Sequence, residues 1–379
     1  MPSLAPNCVA WPLLDEREDF VGETVLDHHR RTPQVNCHRL RARGGRSTME
    51  CAVHPLIGRR VMAKAGTQVT RTTASRKLPK PDEPVPALSR PAVGLVVGGI
   101  ALWIGSTAMA LAKRWPWPIS TLVNAIAAYL LFTVAHDASH QSLSTSRGVN
   151  TALGRVGTLG FAPHVGFHSW RFIHLEHHRF VNDEARDPDH YTERGPAWQR
   201  PLRWLTVDLY YMRFYLPKLK SRPRSEQVEL GFNWLLLVGT TVAAIVTGRF
   251  RKLLLFVFLP IRLSLMWLGY AFDYLPHHDL TTTARENNFK TTRNRVGLEP
   301  VLSPLMLYQN YHLVHHLHPR IPFHRYVAAW RRNEEDYLTH DPPLTDVRGR
   351  PLTLDEYRRR RGLSDTAADA SNAAATGTG

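Results

Sequence analysis

The sequence predicts an all-α integral membrane protein with four transmembrane helices. Four apolar runs support this prediction, because each is long enough to cross the hydrocarbon core of a bilayer, which takes about 20 helical residues. They occupy residues 91–112, 117–135, 230–248 and 253–275. The second observation is that histidines gather in three short clusters. These clusters lie at residues 136–140, 174–178 and 312–316.

The composition favours a membrane protein over a nucleic-acid-binding protein. The chain has 379 residues and a formal net charge of +16, which fits either an anionic membrane surface or nucleic acid. Basic residues are spread along the chain and no nucleic-acid-binding motif is visible, so the apolar runs decide for the membrane. The three cysteines are Cys8, Cys37 and Cys51. All of them precede the histidine clusters, which excludes a disulfide framework and thiolate ligation of iron there.

The two ends of the chain differ from its middle. Residues 1–90 show no sustained apolar periodicity and carry scattered Arg, Pro, Gly and Thr, so we expect a disordered basic N-terminal region. Met49 or Met62 is an alternative start of translation, and no secretory signal is visible near the first residue. We expect residues 91–335 to form the membrane domain. Residues 336–379 are expected to be a C-terminal tail that is disordered at its end.

The four apolar runs are expected to form two helical hairpins. A hairpin returns to the side that it left, so all three histidine clusters and the pair His277 and His278 are expected on one face of the membrane. We assign this face to the cytoplasm of a plasma (inner) membrane, although the loop charges are a poor guide. Residues 152–174 and 190–229 are expected at the interface. Arg262, near the middle of the fourth run, is expected to snorkel or to bind carbonyls freed by a proline kink.

Each histidine cluster places several imidazoles on one face of a helix, because residues at i, i+3 and i+4 are neighbours on a helix surface. One such cluster is weak support for a metal site. Three clusters, two of them with the same HxxHH form, are not explained by packing and predict a shared site. The predicted ligands are His136, His140, His174, His177, His178, His312, His315 and His316.

Eight imidazoles are too many for one metal ion and suit two. Structural zinc sites are closed and usually contain cysteine, whereas nitrogen donors that leave positions open suit redox iron with O2. A ninth ligand is expected from His277 or His278, and His277 is favoured. The sequence therefore predicts a cytosolic helical cap that holds a di-iron site. The remaining histidines are expected to be interfacial, structural or exposed: His164, His168, His190, His318, His324 and His340.

Several polar residues near the clusters are candidates to orient the imidazoles through the ring nitrogen that does not bind metal. They are Asp137, Asn182, Asp183, Asp187, Asp189 and Asn310. For the acidic run, a solvated loop with a turn at Asp187-Pro188 is an equally good interpretation. Glu176 lacks the Glu-x-x-His spacing of carboxylate-bridged di-iron bundles, so we expect it to support a ligand at most.

Three short strings, HDASH, HLEHH and HLVHH, resemble the histidine boxes of the membrane fatty acid desaturase superfamily of non-haem di-iron enzymes. The strings FDYLPH at 272–277, NYHLVHH at 310–316 and LHPRIPFHRY at 317–326 are similar to its carotenoid ring hydroxylase branch, of the cyanobacterial β-carotene 3-hydroxylase type. The resemblance covers about residues 90–335. It implies that two irons activate O2 and abstract hydrogen from an unactivated C–H bond of a lipid-soluble substrate, with no catalytic residue separate from the metal ligands.

The same ligands serve two outcomes, so the resemblance leaves the reaction open. Rebound of oxygen gives an alcohol, as in a β-carotene hydroxylase, which is favoured. Removal of a second hydrogen gives an alkene, as in an acyl-lipid or acyl-CoA desaturase, which is the alternative. A membrane metal-binding or transport protein is disfavoured, because the histidines lie at the ends of the apolar runs. No haem, iron–sulfur or dinucleotide motif is visible, which implies an external ferredoxin and reductase.

Overall fold

The computed structural model describes residues 36–40, 48–52 and 78–363, and the chain divides into two units, residues 1–74 and 75–379. In the first unit, β1 (Asn36–Leu40) pairs antiparallel with β2 (Thr48–Ala52). The disorder predicted for residues 1–90 and the alternative starts at Met49 and Met62 concern mainly residues outside this description. Both therefore stay predictions.

The second unit is almost entirely helical. Its α-helices are α1 (Arg90–Leu111), α2 (Trp117–Ser139), α3 (Arg147–Phe161), α4 (Phe167–Phe180), α5 (Arg200–Leu205), α6 (Val207–Tyr215), α7 (Arg224–Val246), α8 (Phe250–Leu253), α9 (Leu259–Leu268), α10 (Leu275–His277), α11 (Ala284–Asn287), α12 (Glu299–Leu305), α13 (His312–Leu317), α14 (Tyr326–Arg332), α15 (Glu334–Leu338) and α16 (Leu354–Arg361). Short 3-10 helices lie at Asp189–Thr192, Ala197–Gln199, Leu216–Ser221, Asn288–Lys290 and Phe323–Arg325. A small parallel pair joins β3 (Asn294–Arg295) to β4 (Leu344–Thr345).

Four helices of the second unit are long and apolar enough to cross a membrane. They are Arg90–Leu111, Trp117–Ser139, Arg224–Val246 and Phe250–His277. The last is continuous, because π-helical turns at Leu254–Phe258 and Gly269–Tyr274 join α8, α9 and α10. The four predicted spans are thus confirmed, and the protein is an integral membrane protein by its helices and their apolar surfaces. The third span begins before its predicted start, because the polar segment 224–229, which carries Arg224, Glu226 and Glu229, is part of the same helix.

The second span, α2, is the most buried of the four and lies against α1, α3 and α9. Its close contact with α3 requires Gly157, because a Cβ there would lie 2.6 Å from the carbonyl oxygen of Leu131. The side chain of Asn124 donates to the carbonyl oxygen of Phe256 at 2.9 Å. Pro260 has no N–H to offer this carbonyl, so Asn124 supplies a donor within an apolar environment. These contacts fix the end of α2 that carries the first histidines.

Arg262, in the fourth span, is paired with a carboxylate. Its guanidinium donates to Asp208 at 2.8 Å and to the carbonyl oxygen of Leu205 at 3.2 Å. Asp208 is buried and also lies 3.1 Å from the ring of His164. Two expectations are therefore wrong. Arg262 neither snorkels nor binds carbonyls freed by a kink, and His164 is buried in the unit, because α6 brings the carboxylate of Asp208 to both side chains.

The segments before α1 and after α15 pack on the helical unit. Glu83 pairs with Arg325 and Arg332. Near the other end, Tyr337 and Tyr357 are almost completely buried. Residues 78–89 and 336–363 therefore belong to the packed unit, which moves both predicted domain boundaries outward. The disorder predicted at the end of the tail concerns residues 364–379, which lie outside the described residues.

Candidate metal centre

The predicted ligands are placed by four helices, α2, α4, α10 and α13, whose ends converge. His136 and His140 lie at the end of α2, which is why the packing of this span positions them. α4 carries His174, His177 and His178, and α13 carries His312, His315 and His316. His277 ends α10, at the close of the fourth span. The i, i+3, i+4 spacing puts the histidines of α4 and of α13 on the helix faces that point at one another.

The nine histidines form two adjoining clusters of ring nitrogens. The first cluster is His136, His140, His174 and His315. The second cluster is His177, His277, His312 and His316. Within each cluster, one ring nitrogen of every member lies within 4.8 Å of those of the others. His178 lies between them, because its ring nitrogen groups with those of His315 and His316.

Most of the distances between ring nitrogens are close to those of imidazoles that share a metal ion, and the one between His140 and His174 is shorter. In the first cluster the Nε2 atoms of His136 and His315 are 3.0 Å apart, and those of His140 and His174 are 2.7 Å apart. Those of His178 and His315 are 2.9 Å apart. In the second cluster the Nε2 of His316 lies 3.3 Å from that of His177 and 3.2 Å from that of His312. Two nitrogens bound to one metal at about 2.1 Å and roughly right or tetrahedral angles are about 3.0–3.4 Å apart.

Polar groups hold the opposite ring nitrogens. The Nδ1 atoms of His136 and His177 lie 3.2 and 2.8 Å from carboxylate oxygens of Asp137 and Asp187. A carboxylate oxygen only accepts, so in the neutral imidazole Nδ1 carries the hydrogen and Nε2 has its lone pair for a metal. The predicted orienting roles of Asp137 and Asp187 agree with this geometry. Asp189 lies further off, 3.5 Å from His177.

Three other residues predicted to orient imidazoles contact no histidine of the clusters. Asn182 donates through its side chain to the carbonyl oxygens of Thr282 and Thr291, and its backbone N–H donates to Asp187. Asp183 pairs with Arg186 at the surface. Asn310 donates to the carbonyl oxygen of Arg295. These predictions are corrected: Asn182 and Asn310 hold backbone segments together, and Asp183 closes a surface turn.

Two orienting residues were missed by the sequence analysis. The side-chain carbonyl oxygen of Gln309 lies 2.9 Å from Nδ1 of His312. The hydroxyl of Tyr326 lies 3.0 Å from Nδ1 of His315. Gln309 precedes His312 by three residues, a spacing that could have indicated it. Tyr326 lies in the string that carries the family resemblance, but its contact depends on tertiary structure.

His277 provides a test of whether the second cluster fits a metal. It is 4% exposed, and neither ring nitrogen has a hydrogen-bond partner among the described residues. A buried imidazole without a partner is costly, and a metal ion would satisfy it. His278 points elsewhere: its Nδ1 lies 3.1 Å from the carbonyl oxygens of Tyr274 and Leu275. The structure thus brings His277, and not its neighbour, into the second cluster.

Burial governs the charge of the imidazoles outside the spans. Burial, aided by the neighbouring imidazoles, lowers the pKa well below the usual value at His140, His174, His178, His312, His315 and His316. Burial also lowers the pKa of His177, but the carboxylates of Asp187 and Asp189 outweigh this effect and raise the pKa to about 9. A metal needs the neutral imidazole, so six donors are ready at neutral pH and His177 must lose a proton.

An aromatic cavity reaches both clusters from the side of the spans. Its apolar walls include Phe132, Phe161, Leu265 and Phe272, and it is bordered by His136, His174, His177 and His312. The ring of Trp170 stacks on that of His174, with 5.0 Å between centroids. Asp189 and Asp273 also line the cavity, and its volume of about 30 Å³ is far below that of a pocket for a whole substrate. The other histidines stay outside the clusters; for example, His318 contacts the hydroxyl of Tyr337 and His340 stacks on Phe289.

The fold and the site together define an integral membrane protein with a histidine-rich candidate metal centre at the ends of its spans. The sequence model of one family, Fatty acid desaturase, matches residues 112–348. This match covers more than half of the chain. The chain belongs to the fatty acid desaturase family.

Several curated proteins are similar to the chain. It is 29% identical over 239 residues to dihydrorhizobitoxine desaturase of Bradyrhizobium elkanii, and the aligned region covers 55% of this chain and 65% of that protein. It is 26% identical over 282 residues to sn-1 oleoyl-lipid 12-desaturase of Picosynechococcus sp., covering 65% and 76%. It is 29% identical over 265 residues to beta-carotene ketolase of Paracoccus sp., covering 64% and 93%. The chain spans slightly less than two thirds of the first of these relatives.

Proposed function

We propose that the chain uses two iron ions and O2 to oxidise an unactivated C–H bond of a lipid-soluble substrate. The observation that carries this proposal is the pair of adjoining clusters, whose nine buried or half-buried imidazoles converge beside an aromatic cavity. An all-nitrogen donor set with room for a further ligand suits iron with O2, and two clusters suit two ions. The proposed ligands are His136, His140, His174, His177, His178, His277, His312, His315 and His316.

The irons would supply the reduction of O2 and the abstraction of hydrogen from carbon. The chain's own residues do the rest. Asp137 and Asp187 keep the hydrogen on Nδ1 of His136 and His177, which directs Nε2 at the metal. Phe132 and Phe272 line the cavity beside the clusters, where their rings exclude water. Hydroxylation consumes one O2, two electrons and two protons, and gives an alcohol and one water.

The favoured substrate is the ionone ring of β-carotene, and the favoured reaction is its hydroxylation. The strings that resemble carotenoid ring hydroxylases support it, and so does the similarity to a beta-carotene ketolase over 93% of that protein. The alternative is an acyl-lipid or acyl-CoA desaturase that introduces a C=C bond. Similarity to an sn-1 oleoyl-lipid 12-desaturase over 76% of its length favours this alternative.

The proposal includes a topology and an electron donor. The four spans would form two hairpins, with the histidines and the short helices as a cap on the cytoplasmic face of a plasma (inner) membrane. Electrons would come from a separate ferredoxin and its reductase. The net charge of +16 supports docking of an acidic carrier, because opposite charges speed and orient such encounters.

Expression in cells that accumulate β-carotene tests the substrate and the reaction together. Chromatography of the carotenoids and of the host acyl chains is expected to show cryptoxanthin and zeaxanthin, and no new acyl double bond. A new double bond in the acyl chains with unchanged β-carotene would replace the first candidate by the second. The matched control is the His315→Ala variant, which must produce neither product.

A further inference from the structure

A short excursion of the chain lies directly before the third group of histidines. It runs over residues 296–309, contains α12, and is called the finger below. Its two ends meet where the N–H of Arg295 donates to the carbonyl oxygen of Asn310 at 2.6 Å. The side chain of Asn310 donates back to the carbonyl oxygen of Arg295 at 3.1 Å. The finger therefore leaves the unit and returns to it at one point, beside His312.

The exposed surface of the finger is entirely apolar. Its exposed residues are Leu298, Pro300, Val301, Pro304 and Leu305. Leu298 and Val301 are each 67% exposed, and Leu305 is 63% exposed. The one charged residue in the finger, Glu299, points inward, where the hydroxyl of Tyr311 donates to it at 2.9 Å. Contiguous apolar surface of this kind is unfavourable in water.

The backbone of the finger satisfies its own polar groups, as lipid requires. The N–H groups of Val301 and Leu302 donate to the carbonyl oxygen of Leu298 at 2.9 and 2.8 Å. The turn at the far end closes where Tyr308 N–H donates to the carbonyl oxygen of Ser303 at 2.6 Å. The two prolines bring no N–H at all. Hydrocarbon offers no partner for a free backbone group, so an embedded segment must be closed in this way.

A contact with the second span sets the depth of the finger. The hydroxyl of Tyr129 donates to the carbonyl oxygen of Leu305 at 3.4 Å. Tyr129 lies in α2, ten residues before its end at Ser139, which is about 15 Å at 1.5 Å per residue. That is about half of the hydrocarbon core of a bilayer. Leu305 is therefore level with the middle of the span.

The residues beside the base of the finger are of a kind found at the level of lipid headgroups. A cavity beside Gly297 and Leu298 is lined by Arg348, Arg350 and Arg360 together with Asp346, and Arg350 and Arg360 also pair with Glu356. Arginines near the membrane surface interact favourably with lipid phosphates. The finger thus begins beside a basic surface and ends level with the middle of a span, which is the order expected along a membrane normal.

We propose that the finger is a fifth membrane-embedded element. It enters the leaflet on the histidine side, places Leu305 among the acyl chains, leaves Leu298 at headgroup level and returns to the same side. Because its base leads directly into α13, the bilayer helps to hold His312 and its neighbours in place. The inference goes beyond the proposed function, since it concerns membrane lipid whatever the substrate and whichever the metal.

Site-directed fluorescence measures the depth of the finger. The full chain with Cys8, Cys37 and Cys51 replaced by serine receives one cysteine at a time, as Leu298→Cys, Val301→Cys or Leu305→Cys. Each variant is labelled with a bimane and reconstituted into vesicles of phosphatidylcholine and phosphatidylglycerol. The quenchers are lipids with a spin label at the headgroup or in the middle of the acyl chain. Leu235→Cys, in the middle of α7, is the lipid control, and Ala185→Cys, in an exposed loop, is the aqueous control.

The proposal predicts a gradient along the finger. Leu305→Cys is expected to match Leu235→Cys, with stronger quenching by the mid-chain label, whereas Leu298→Cys responds more to the headgroup label and Val301→Cys lies between. An impermeant maleimide is expected to react with Leu305→Cys at least tenfold more slowly than with Ala185→Cys. Headgroup quenching of equal strength at all three positions would mean a finger that lies flat on the surface, and would overturn the proposal. Reaction of Leu305→Cys at the rate of Ala185→Cys would do the same.

Discussion

The two histidine clusters take their ligands from overlapping helices but differ in what surrounds them. In the first cluster, Asp137 is the carboxylate beside a ring nitrogen, and it is also held by the N–H of Phe323 at 2.9 Å. In the second cluster, His177 has two carboxylates nearby, Asp187 and Asp189. The second cluster also contains His277, which has no hydrogen-bond partner among the described residues.

The two proposed iron positions are therefore not equivalent. The first cluster offers neutral imidazoles whose pKa values are lowered by burial at His140, His174 and His315. The second cluster lies in a more negative environment, and its His177 holds a proton when no metal is bound, because its pKa is raised to about 9. The first position should therefore fill readily at neutral pH, while the second should compete with a proton.

The largest effect is expected from His315→Ala, because His315 belongs to the first cluster and its Nε2 also lies 2.9 Å from that of His178. Its removal should lower activity by more than about 100-fold, beyond the effect typical of an orienting partner. Iron content per chain should fall as well. Product formation and iron analysis of purified protein check this, with His340→Ala as a control outside both clusters. Wild-type iron content in His315→Ala would remove this residue from the ligand set.

His277→Ala is expected to act on the second cluster alone. Iron should fall from two ions per chain to about one, because a ligand that has no other partner is lost while the first cluster stays complete. The matched control is His278→Ala, whose ring faces carbonyl oxygens and should leave both ions in place. The reverse result, with His278→Ala losing iron and His277→Ala keeping it, would exchange the two assignments.

Asp187→Asn is expected to change how metal affinity depends on pH. The pKa of His177 is raised to about 9, so affinity at the second cluster should rise up to tenfold per pH unit from neutral pH towards that value. Asp187→Asn should weaken affinity by about 10–100-fold and flatten this rise, because the imidazole loses its partner. Chelator competition with metal-free protein across this pH range measures it.

The comparison for that experiment is Asp137→Asn. It should weaken the first cluster by a similar factor, but without a change in pH dependence, because the ligands of that cluster outside the spans have lowered pKa values. An equal pH slope for the two clusters of the wild type would contradict the charge difference between them.

The smallest effect is expected from Tyr326→Phe. It removes the hydroxyl that lies 3.0 Å from Nδ1 of His315 and leaves the aromatic ring in place. One hydrogen bond contributes about 1 kcal/mol, so activity should fall by roughly fivefold with both irons retained. Steady-state rates and iron analysis check this, and a loss as large as that of His315→Ala would show that the hydroxyl does more than orient a ligand.

Much of the site could be predicted from the sequence because its signals are local. The spans are uninterrupted apolar runs, and the histidines repeat at helical spacing, so neither depends on knowing the fold. His277 and His278 were both candidates because the pair ends the fourth span level with the first cluster, and the contacts of His278 with the carbonyl oxygens of Tyr274 and Leu275 distinguish them. Asp137 and Asp187 lie next to the clusters in sequence and in space.

The rest depended on contacts between distant parts of the chain. Asp208, in α6, pairs with Arg262, in α9, which lies 54 residues further along the chain. Tyr326, in α14, contacts His315, in α13, because the chain reverses its direction after α13. The finger is too short for its hydropathy to distinguish it from an ordinary loop. Its proposed depth in the membrane rests on the contact between Tyr129 and Leu305, which only the structure shows. Asn182 and Asn310 lie close to the histidines in sequence but point at backbone groups.

The central claim is that the two clusters hold two neighbouring iron ions. Iron analysis combined with Mössbauer spectroscopy of the purified full chain, loaded with iron and oxidised, tests it most directly. We predict two irons per chain in unequal nitrogen environments. One iron per chain, two irons in identical environments, or retention of zinc in place of iron would contradict this.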